Sequence, residues 1–193
     1  KQFEITFKKG TINAGKNLII FEVAKRYISN FLNFEISEIK AGNTIKIIQI
    51  EATLDVTIPI SELDFPVKIG GKVDRVDEYN GHMRVIDYKT GKVERSDLVI
   101  NDWALITTDY KFSKAMQVLM YALMINKQHK VDSVEAGIVS FKNLKSGFLK
   151  FSSKTEESGR EKRSFVTQET LDSFIIELKK LILEICDSEI PFT

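Results

Sequence analysis

The dipeptide Asn80-Gly81 lies between two segments rich in β-branched residues, and it constrains the fold of this chain more than any other feature. Asn-Gly strongly favours a two-residue type I′ turn, because both central positions of that turn need positive φ. The flanking segments, Val67–Val76 and Met83–Lys89, have the composition of β-strands. The sequence therefore predicts a β-hairpin centred on this turn.

The turn also sets the register of the hairpin, because residues equidistant from it face each other across the two strands. Asp77 then pairs with Arg84, an oppositely charged cross-strand pair that stabilises a hairpin. Asp74 faces Asp87, with Cβ atoms roughly 5 Å apart. Two carboxylates near that distance repel by roughly 3 kcal/mol at an effective dielectric constant of about 20. A bound cation, a shared proton or a neighbouring ammonium group would offset this repulsion.

Strand geometry places a lysine beside the two aspartates. Lys89 lies two residues beyond Asp87, so its side chain emerges on the same face of the sheet, opposite Lys72 of the first strand. Ile86 and Tyr88 point to the other face, into hydrophobic packing. Two carboxylates and a lysine suit metal-assisted phosphodiester hydrolysis, since Mg²⁺ prefers oxygen ligands and activates water. The alternative is a solvated hairpin whose charges only keep it soluble.

The remaining patterns predict helices and strands in mixed order. Apolar spacing predicts a helix over Asn13–Asn33, and a polar loop is expected over Ser152–Ser164. The other expected elements are one or two strands over Thr44–Ile60, a helix over Ser113–Asn126 with Ser113 as its N-cap, a strand pair at Val134–Phe141 and Gly147–Phe151, and a helix capped by Thr167 that ends near Ile185. This order predicts an α/β fold with a mixed, mainly antiparallel central sheet flanked by helices.

Bulk composition narrows the class of protein. The 193 residues suit one domain spanning residues 1–193, and a start at Lys1 rather than methionine suggests a domain excised from a longer protein. The net charge of +1 means that any nucleic-acid surface is local. One cysteine excludes an internal disulfide framework and a four-cysteine iron–sulfur cluster, and we expect Cys186 to be buried on the last helix. No apolar run would span a membrane and no secretory signal is present, so a cytoplasmic location is expected.

Three short motifs together resemble a known family. The hairpin contains Gly-Lys-Val-Asp ending at Asp74 and then Ile-Asp-Tyr-Lys-Thr-Gly around Asp87, and a downstream helix contains Gln117-x-x-x-Tyr121. This set, over about Val67–Asn126, is similar to the core of the PD-(D/E)XK nuclease superfamily. The nearest branch is the RecB-like one, which includes the nuclease domains of bacterial helicase–nucleases. The resemblance implies a restriction-endonuclease-like core.

The resemblance also implies roles for these residues. Asp74 and Asp87 would bind a catalytic Mg²⁺ or Mn²⁺ ion, helped by the main-chain carbonyl of Tyr88. Lys89 would act on the attacking water or on the phosphate. Gln117 and Tyr121, which share one helix face, would support the site or contact DNA. Glu51 on an earlier strand is a further acidic candidate, for which an exposed position on the strand face is the preferred interpretation.

One departure from the RecB-like pattern concerns the first helix, where many relatives carry a metal-binding histidine. The segment Gly15–Glu22 contains no histidine. Asn17 or Glu22 would supply a substitute oxygen ligand, or the metal would bind more weakly. The iron–sulfur clasp of some relatives is also absent from the sequence.

The sequence leaves two main functions open. The first is a metal-dependent exonuclease-type domain that cuts DNA in repair or recombination, attached to a helicase module or a partner subunit. The second is a catalytically weakened nuclease fold that binds DNA or a partner. Trp103 and Tyr110 would either stack on bases or anchor their segment to the core. The basic residues after the second helix would either line a DNA path or belong to a solvated loop; they are Lys142, Lys145, Lys150, Lys154, Arg160, Lys162 and Arg163.

Overall fold

The fold is taken from a computed structural model, in which Ile5, residues 14–153 and residues 164–191 are described. The chain forms two compact units, Lys1–Asn43 and Thr44–Thr193. The described part of the first unit is essentially one helix, α1 (Gly15–Lys40). The predicted helix is thus confirmed but is longer at its C-terminal end. None of its residues is buried.

The second unit contains a mixed sheet and two long helices. The sheet has the order β1-β2-β3-β5-β6, with β8 pairing to one end of β5, and β4 pairs with β7 separately. The strands are β1 (Ile45–Ile58), β2 (Val67–Tyr79), β3 (His82–Lys89), β4 (Val99–Ile100), β5 (Ser133–Ser140), β6 (Phe148–Lys150), β7 (Ser152–Ser153) and β8 (Val166–Thr167). The helices are α2 (Leu105–Thr108), α3 (Ser113–His129) and α4 (Gln168–Cys186). Among the described strand pairs of the larger sheet, only β3–β5 is parallel, which confirms the predicted α/β fold with a mainly antiparallel sheet.

The hairpin turn has the predicted geometry. Asn80 and Gly81 both have positive φ, at 50° and 84°. The ladder runs from the pair Tyr79–His82 at the turn to the pair Arg75–Ile86. The register counted from the turn is therefore confirmed over this stretch.

The ladder between β2 and β3 ends earlier than predicted. The next pair outward would be Asp74 with Asp87, but neither that pair nor the expected Lys72–Lys89 pair belongs to the ladder. Lys72 instead pairs with Thr53 of β1. The reason is local, because the Tyr88 main-chain N–H donates to the Asp74 side chain at 2.8 Å. Beyond Arg75, β2 stays with β1 while β3 continues along β5.

A buried ion-pair network stabilises the hairpin between its turn and the end of the ladder. The Asp77 carboxylate is completely buried and accepts two hydrogen bonds from the Arg84 guanidinium, each 2.8 Å long. Arg75 Nη2 lies 2.7 Å from the same carboxylate. The Arg84 guanidinium also lies 4.2 Å from the centre of the Tyr79 ring. The predicted Asp77–Arg84 pair is thus confirmed, and it forms part of a larger buried network.

Helix α3 packs on the sheet and contributes much of the core. Its apolar residues Ala115, Val118, Leu119, Ala122, Leu123, Met124 and Ile125 are buried. The prediction that Ser113 caps this helix was wrong, because Phe112 occupies the N-cap position without a side-chain cap and Ser113 is already helical. The Thr167 cap of α4 is confirmed by a hydrogen bond from the Thr170 N–H. Cys186 was expected to be buried and is exposed at the end of α4, which corrects that expectation.

The segment between the hairpin and α3, which had no predicted structure, is held by burial of isolated apolar side chains. It contains a 3₁₀ turn at Arg95–Leu98, strand β4, helix α2 and a 3₁₀ turn at Tyr110–Phe112. Leu98, Ile100 and Ile106 are at most 2% exposed. The predicted polar loop lies largely outside the described residues, whereas Ser152 and Ser153 form β7. Among the described helices, none is long and apolar enough to cross a membrane.

The buried network gives a stability prediction. Asp77→Ala leaves two buried guanidinium groups without their carboxylate, so we expect the free energy of unfolding to fall by about 3–5 kcal/mol in urea denaturation. Asp55→Ala is the matched control, because its pair with Lys68 is exposed and should contribute at most about 1 kcal/mol. Similar losses for the two variants would contradict a special role for Asp77.

Candidate functional site

Asp74 lies on β2 at the point where that strand separates from β3. Its side chain is half-buried, and its Oδ2 atom accepts the Tyr88 main-chain hydrogen bond at 2.8 Å. The carboxylate therefore fixes the peptide immediately after Asp87. The two predicted aspartates are held near each other by a side-chain to main-chain bond rather than by the ladder.

Asp87 is the buried acid of the site, with 3% of its surface exposed. Its Oδ2 atom lies 2.9 Å from the Lys89 ammonium nitrogen, as expected for side chains two residues apart on one strand face. Burial raises the pKa of the Asp87 carboxyl above its ordinary value, the Lys89 contact lowers it in part, and the charge of Asp74 raises it again. The ionised carboxylate is therefore only partly compensated by its lysine.

Lys89 connects the hairpin to helix α3. Its ammonium group donates a 2.8 Å hydrogen bond to Gln117 Oε1, and Gln117 Nε2 donates a 2.8 Å hydrogen bond to the Tyr121 hydroxyl. These bonds continue the chain of contacts that starts at Asp87. Gln117 thus lies next to Lys89, and the predicted placement of Gln117 and Tyr121 on one helix face is confirmed.

Gly71 brings the first motif into contact with the third. A Cβ atom added at Gly71 would lie 3.3 Å from Met124 Cε and 3.4 Å from Tyr121 Cε1. The Tyr121 ring therefore packs directly on the β2 backbone, three residues before Asp74. The absence of a side chain at Gly71 leaves room for Met124 and for the Tyr121 ring against the strand.

Arg75 is a residue of this region that the sequence analysis missed. Its Nη1 atom donates to the Tyr88 hydroxyl at 3.2 Å, and the Tyr88 ring packs on Phe141 with centroids 5.6 Å apart. Tyr88 is thus held at its side chain by Arg75 and at its N–H by Asp74. The sequence did contain a signal for this role, because Arg75 lies two residues before Asp77 and therefore on the same strand face.

Of the other predicted candidates in the second unit, Glu51 and Trp103 do not join this cluster in the described contacts. Glu51 is exposed and forms an ion pair with Lys72, as preferred for a strand-face residue, and it has a positive φ of 55°. Glu22 pairs with Lys25 on helix α1 at 3.0 Å. Trp103 packs against the hydrophobic core, whereas Tyr110 is 90% exposed.

The donor set suits one kind of metal. Within the described ranges, no group of three or more His, Cys, Asp or Glu side chains is placed to hold a metal ion. The site instead offers two carboxylates, one of them buried and incompletely compensated. Mg²⁺ commonly binds through one or two carboxylates and keeps several waters. The residues present therefore fit Mg²⁺ better than a metal that needs three or more protein side chains as ligands.

Comparison with known families supports the motif assignment. The profile of the PD-(D/E)XK nuclease superfamily matches residues 14–193. The chain therefore belongs to the PD-(D/E)XK nuclease superfamily, whose chemistry is hydrolysis of phosphodiester bonds in nucleic acid. Comparison with curated proteins gives no match.

The buried charge of Asp87 gives a pH prediction. A carboxyl whose pKa is raised by folding contributes stability below its unfolded-state pKa, and that contribution is lost as the pH rises through the folded-state pKa. In EDTA at neutral pH, Asp87→Asn should therefore unfold at a urea concentration no lower than wild type. Any stability advantage of Asp87→Asn over wild type should disappear as the pH is lowered toward about 4.

Asp64→Asn is the control for this experiment, because Asp64 is exposed on the loop between β1 and β2. Urea denaturation at a series of pH values measures both variants. A clear loss of stability for Asp87→Asn in EDTA at neutral pH would mean that the Lys89 ion pair outweighs the burial of the charge.

Proposed function

We propose that this chain is a magnesium-dependent deoxyribonuclease domain of the RecB-like branch, acting as an exonuclease in DNA repair or recombination. The single observation that carries the proposal is the unbroken series of contacts from Asp87 through Lys89 and Gln117 to Tyr121. It joins two separate sequence motifs in one cluster. A solvated hairpin would need no such connection to a helix.

The proposed metal ligands are the carboxylates of Asp74 and Asp87 and the main-chain carbonyl of Tyr88. In an extended strand the N–H and C=O of one residue face the same neighbour. Since the Tyr88 N–H points to Asp74, its carbonyl faces the same side of β3. A bound Mg²⁺, or Mn²⁺ in its place, supplies charge neutralisation at the phosphate and an activated water.

Lys89 is the proposed catalytic cation. Its ammonium group is about one-third exposed, so it can reach a phosphate while it contacts Asp87. The Gln117 carbonyl oxygen holds the ammonium in place without neutralising it. Tyr121 orients the Gln117 amide and thereby acts as a positioning residue. Preorganised charge of this kind stabilises the negative charge that develops on a phosphate in the transition state.

We infer that residues 1–193 form a single nuclease domain of a longer protein, in which a helicase module or partner subunit delivers the DNA. The motif context of Asp74, Asp87 and Gln117 supports the RecB-like assignment. The absence of a histidine between Gly15 and Glu22 supports a second candidate, a weakened nuclease that mainly binds DNA. Cleavage assays on linear single- and double-stranded DNA with Mg²⁺, Mn²⁺ or EDTA distinguish the two.

The ligand assignment predicts a metal-dependent change in stability. Mg²⁺ or Mn²⁺ should raise the melting temperature of wild type, because the ion binds only the folded state. Asp74→Ala and Asp87→Ala should each abolish this increase in thermal denaturation. Asp64→Ala should retain it. An unchanged metal response in both site variants would exclude these ligands.

The role of Lys89 predicts a selective loss of cleavage. With metal bound to offset the aspartates, Lys89→Ala should melt and bind DNA much as wild type does. Its cleavage rate should fall roughly a hundredfold, which corresponds to about 3 kcal/mol of lost transition-state stabilisation. Single-turnover cleavage of linear DNA measures the rate.

Lys92→Ala is the matched control, because Lys92 is an exposed lysine nearby whose partner is Glu94. Its cleavage rate should stay near that of wild type. If wild type with Mn²⁺ cuts no faster than Lys89→Ala, the nuclease proposal fails for this domain alone. DNA binding by both proteins would then favour the second candidate.

A further inference from the structure

A surface pocket lies beside the Lys89–Gln117 pair. It has a volume of about 430 Å³, and Lys89 and Gln117 form part of its wall. The rest comes from the 3₁₀ turn Tyr110–Phe112, the first turn of α3 and Asp97 of the 3₁₀ turn Arg95–Leu98. This size falls within the range of small-molecule sites. The pocket is therefore large enough to hold a ligand that also reaches Lys89.

The charges of the pocket favour an anion. Three ammonium groups line it, those of Lys89, Lys111 and Lys114, against the single carboxylate of Asp97. Lys114 lies 3.2 Å from that carboxylate. In the part of the chain that the structure describes, Lys111 has no carboxylate within ion-pair distance, and its ammonium nitrogen lies 5.3 Å from the centre of the Phe112 ring. Its charge is thus available to a ligand.

An exposed aromatic ring stands at the same pocket. Tyr110 is 90% exposed, although the neighbouring Phe112 is only 7% exposed and is part of the core. The turn that carries Tyr110 is fixed at both ends, because Phe112 is buried and the Asp109 carboxylate accepts the Lys111 N–H at 2.9 Å. The ring is therefore presented to solvent from a well-anchored turn.

We propose that this pocket is a subsite for the nucleotide next to the scissile phosphate of an unpaired DNA strand. The phosphate of that nucleotide binds Lys111 and Lys114, and its base stacks on Tyr110. The substrate is single-stranded because the face of a base is open to an aromatic side chain only when the base is unstacked from a duplex. The inference rests on the proposed function, since it places the scissile phosphate at Lys89.

Equilibrium binding tests the stacking contact without any cleavage. Wild type and variants are titrated in EDTA against a fluorescent single-stranded oligonucleotide, with anisotropy as the readout. Tyr110→Ala should bind about tenfold more weakly, and Tyr110→Phe should bind as wild type does, because stacking needs only the ring. Phe65→Ala is the aromatic control, since Phe65 is 51% exposed outside the pocket. It should leave the affinity unchanged.

Two further measurements test the base contact and the phosphate contact separately. On a strand of abasic sites, wild type and Tyr110→Ala should bind equally, because no base is available to stack. The slope of log affinity against log salt is negative, and Lys111→Gln should make it less steep by about 0.7, the value for one phosphate contact on a single strand. Lys180→Gln, on the exposed side of α4, should leave that slope unchanged.

Specific results would overturn the proposal. These are equal binding of the normal strand by wild type and Tyr110→Ala, an equal loss on blunt duplex DNA, or no measurable binding by wild type at low salt. Because the assay needs no hydrolysis, its outcome is separate from that of the cleavage assays. Loss of binding in Tyr110→Ala without any nuclease activity keeps the subsite and rejects the enzyme. Cleavage with unchanged Tyr110→Ala affinity keeps the enzyme and rejects the subsite.

Discussion

The buried carboxylate of Asp77 is the interaction on which the geometry of the site depends. It is shared by Arg84 across the hairpin and by Arg75 on its own strand. A slip of one residue between the strands would move Asp77 and Arg84 to opposite faces and leave the buried Arg84 guanidinium without its anion. The network therefore favours one register strongly, and that register determines where β2 and β3 stand when their ladder ends.

The two ends of the hairpin differ in how far their buried carboxylates are neutralised. Near the turn, Asp77 is neutralised by two arginines, and that end is held by buried ion pairs. Beyond Arg75 the strands part, and Asp87 is left with a single lysine and a nearby second carboxylate. The ion pairs near the turn therefore stabilise the hairpin, while the carboxylates beyond Arg75 remain incompletely neutralised. An incompletely balanced anionic site is suited to binding a cation, and a fully neutralised one is not.

Sequence reasoning succeeded where local rules decide the structure. Asn80-Gly81 determined the turn and the register as far as Arg75, and the four-residue spacing of Gln117 and Tyr121 put them on one helix face. It failed where a side chain competes with the main chain, because no pattern predicts that Asp74 takes the Tyr88 N–H and ends the ladder. The segment after the hairpin has no periodicity, since single buried residues such as Leu98 hold it.

The contact between Gly71 and the Tyr121 ring has a consequence for how this site can change over generations. A side chain larger than alanine at Gly71 would crowd the Met124 methyl group and the Tyr121 ring, and a smaller one at Tyr121 would leave a void against the glycine. Either change alone disturbs Gln117 and, through it, Lys89. The two positions are far apart in the chain, yet a substitution at one changes which side chains fit at the other.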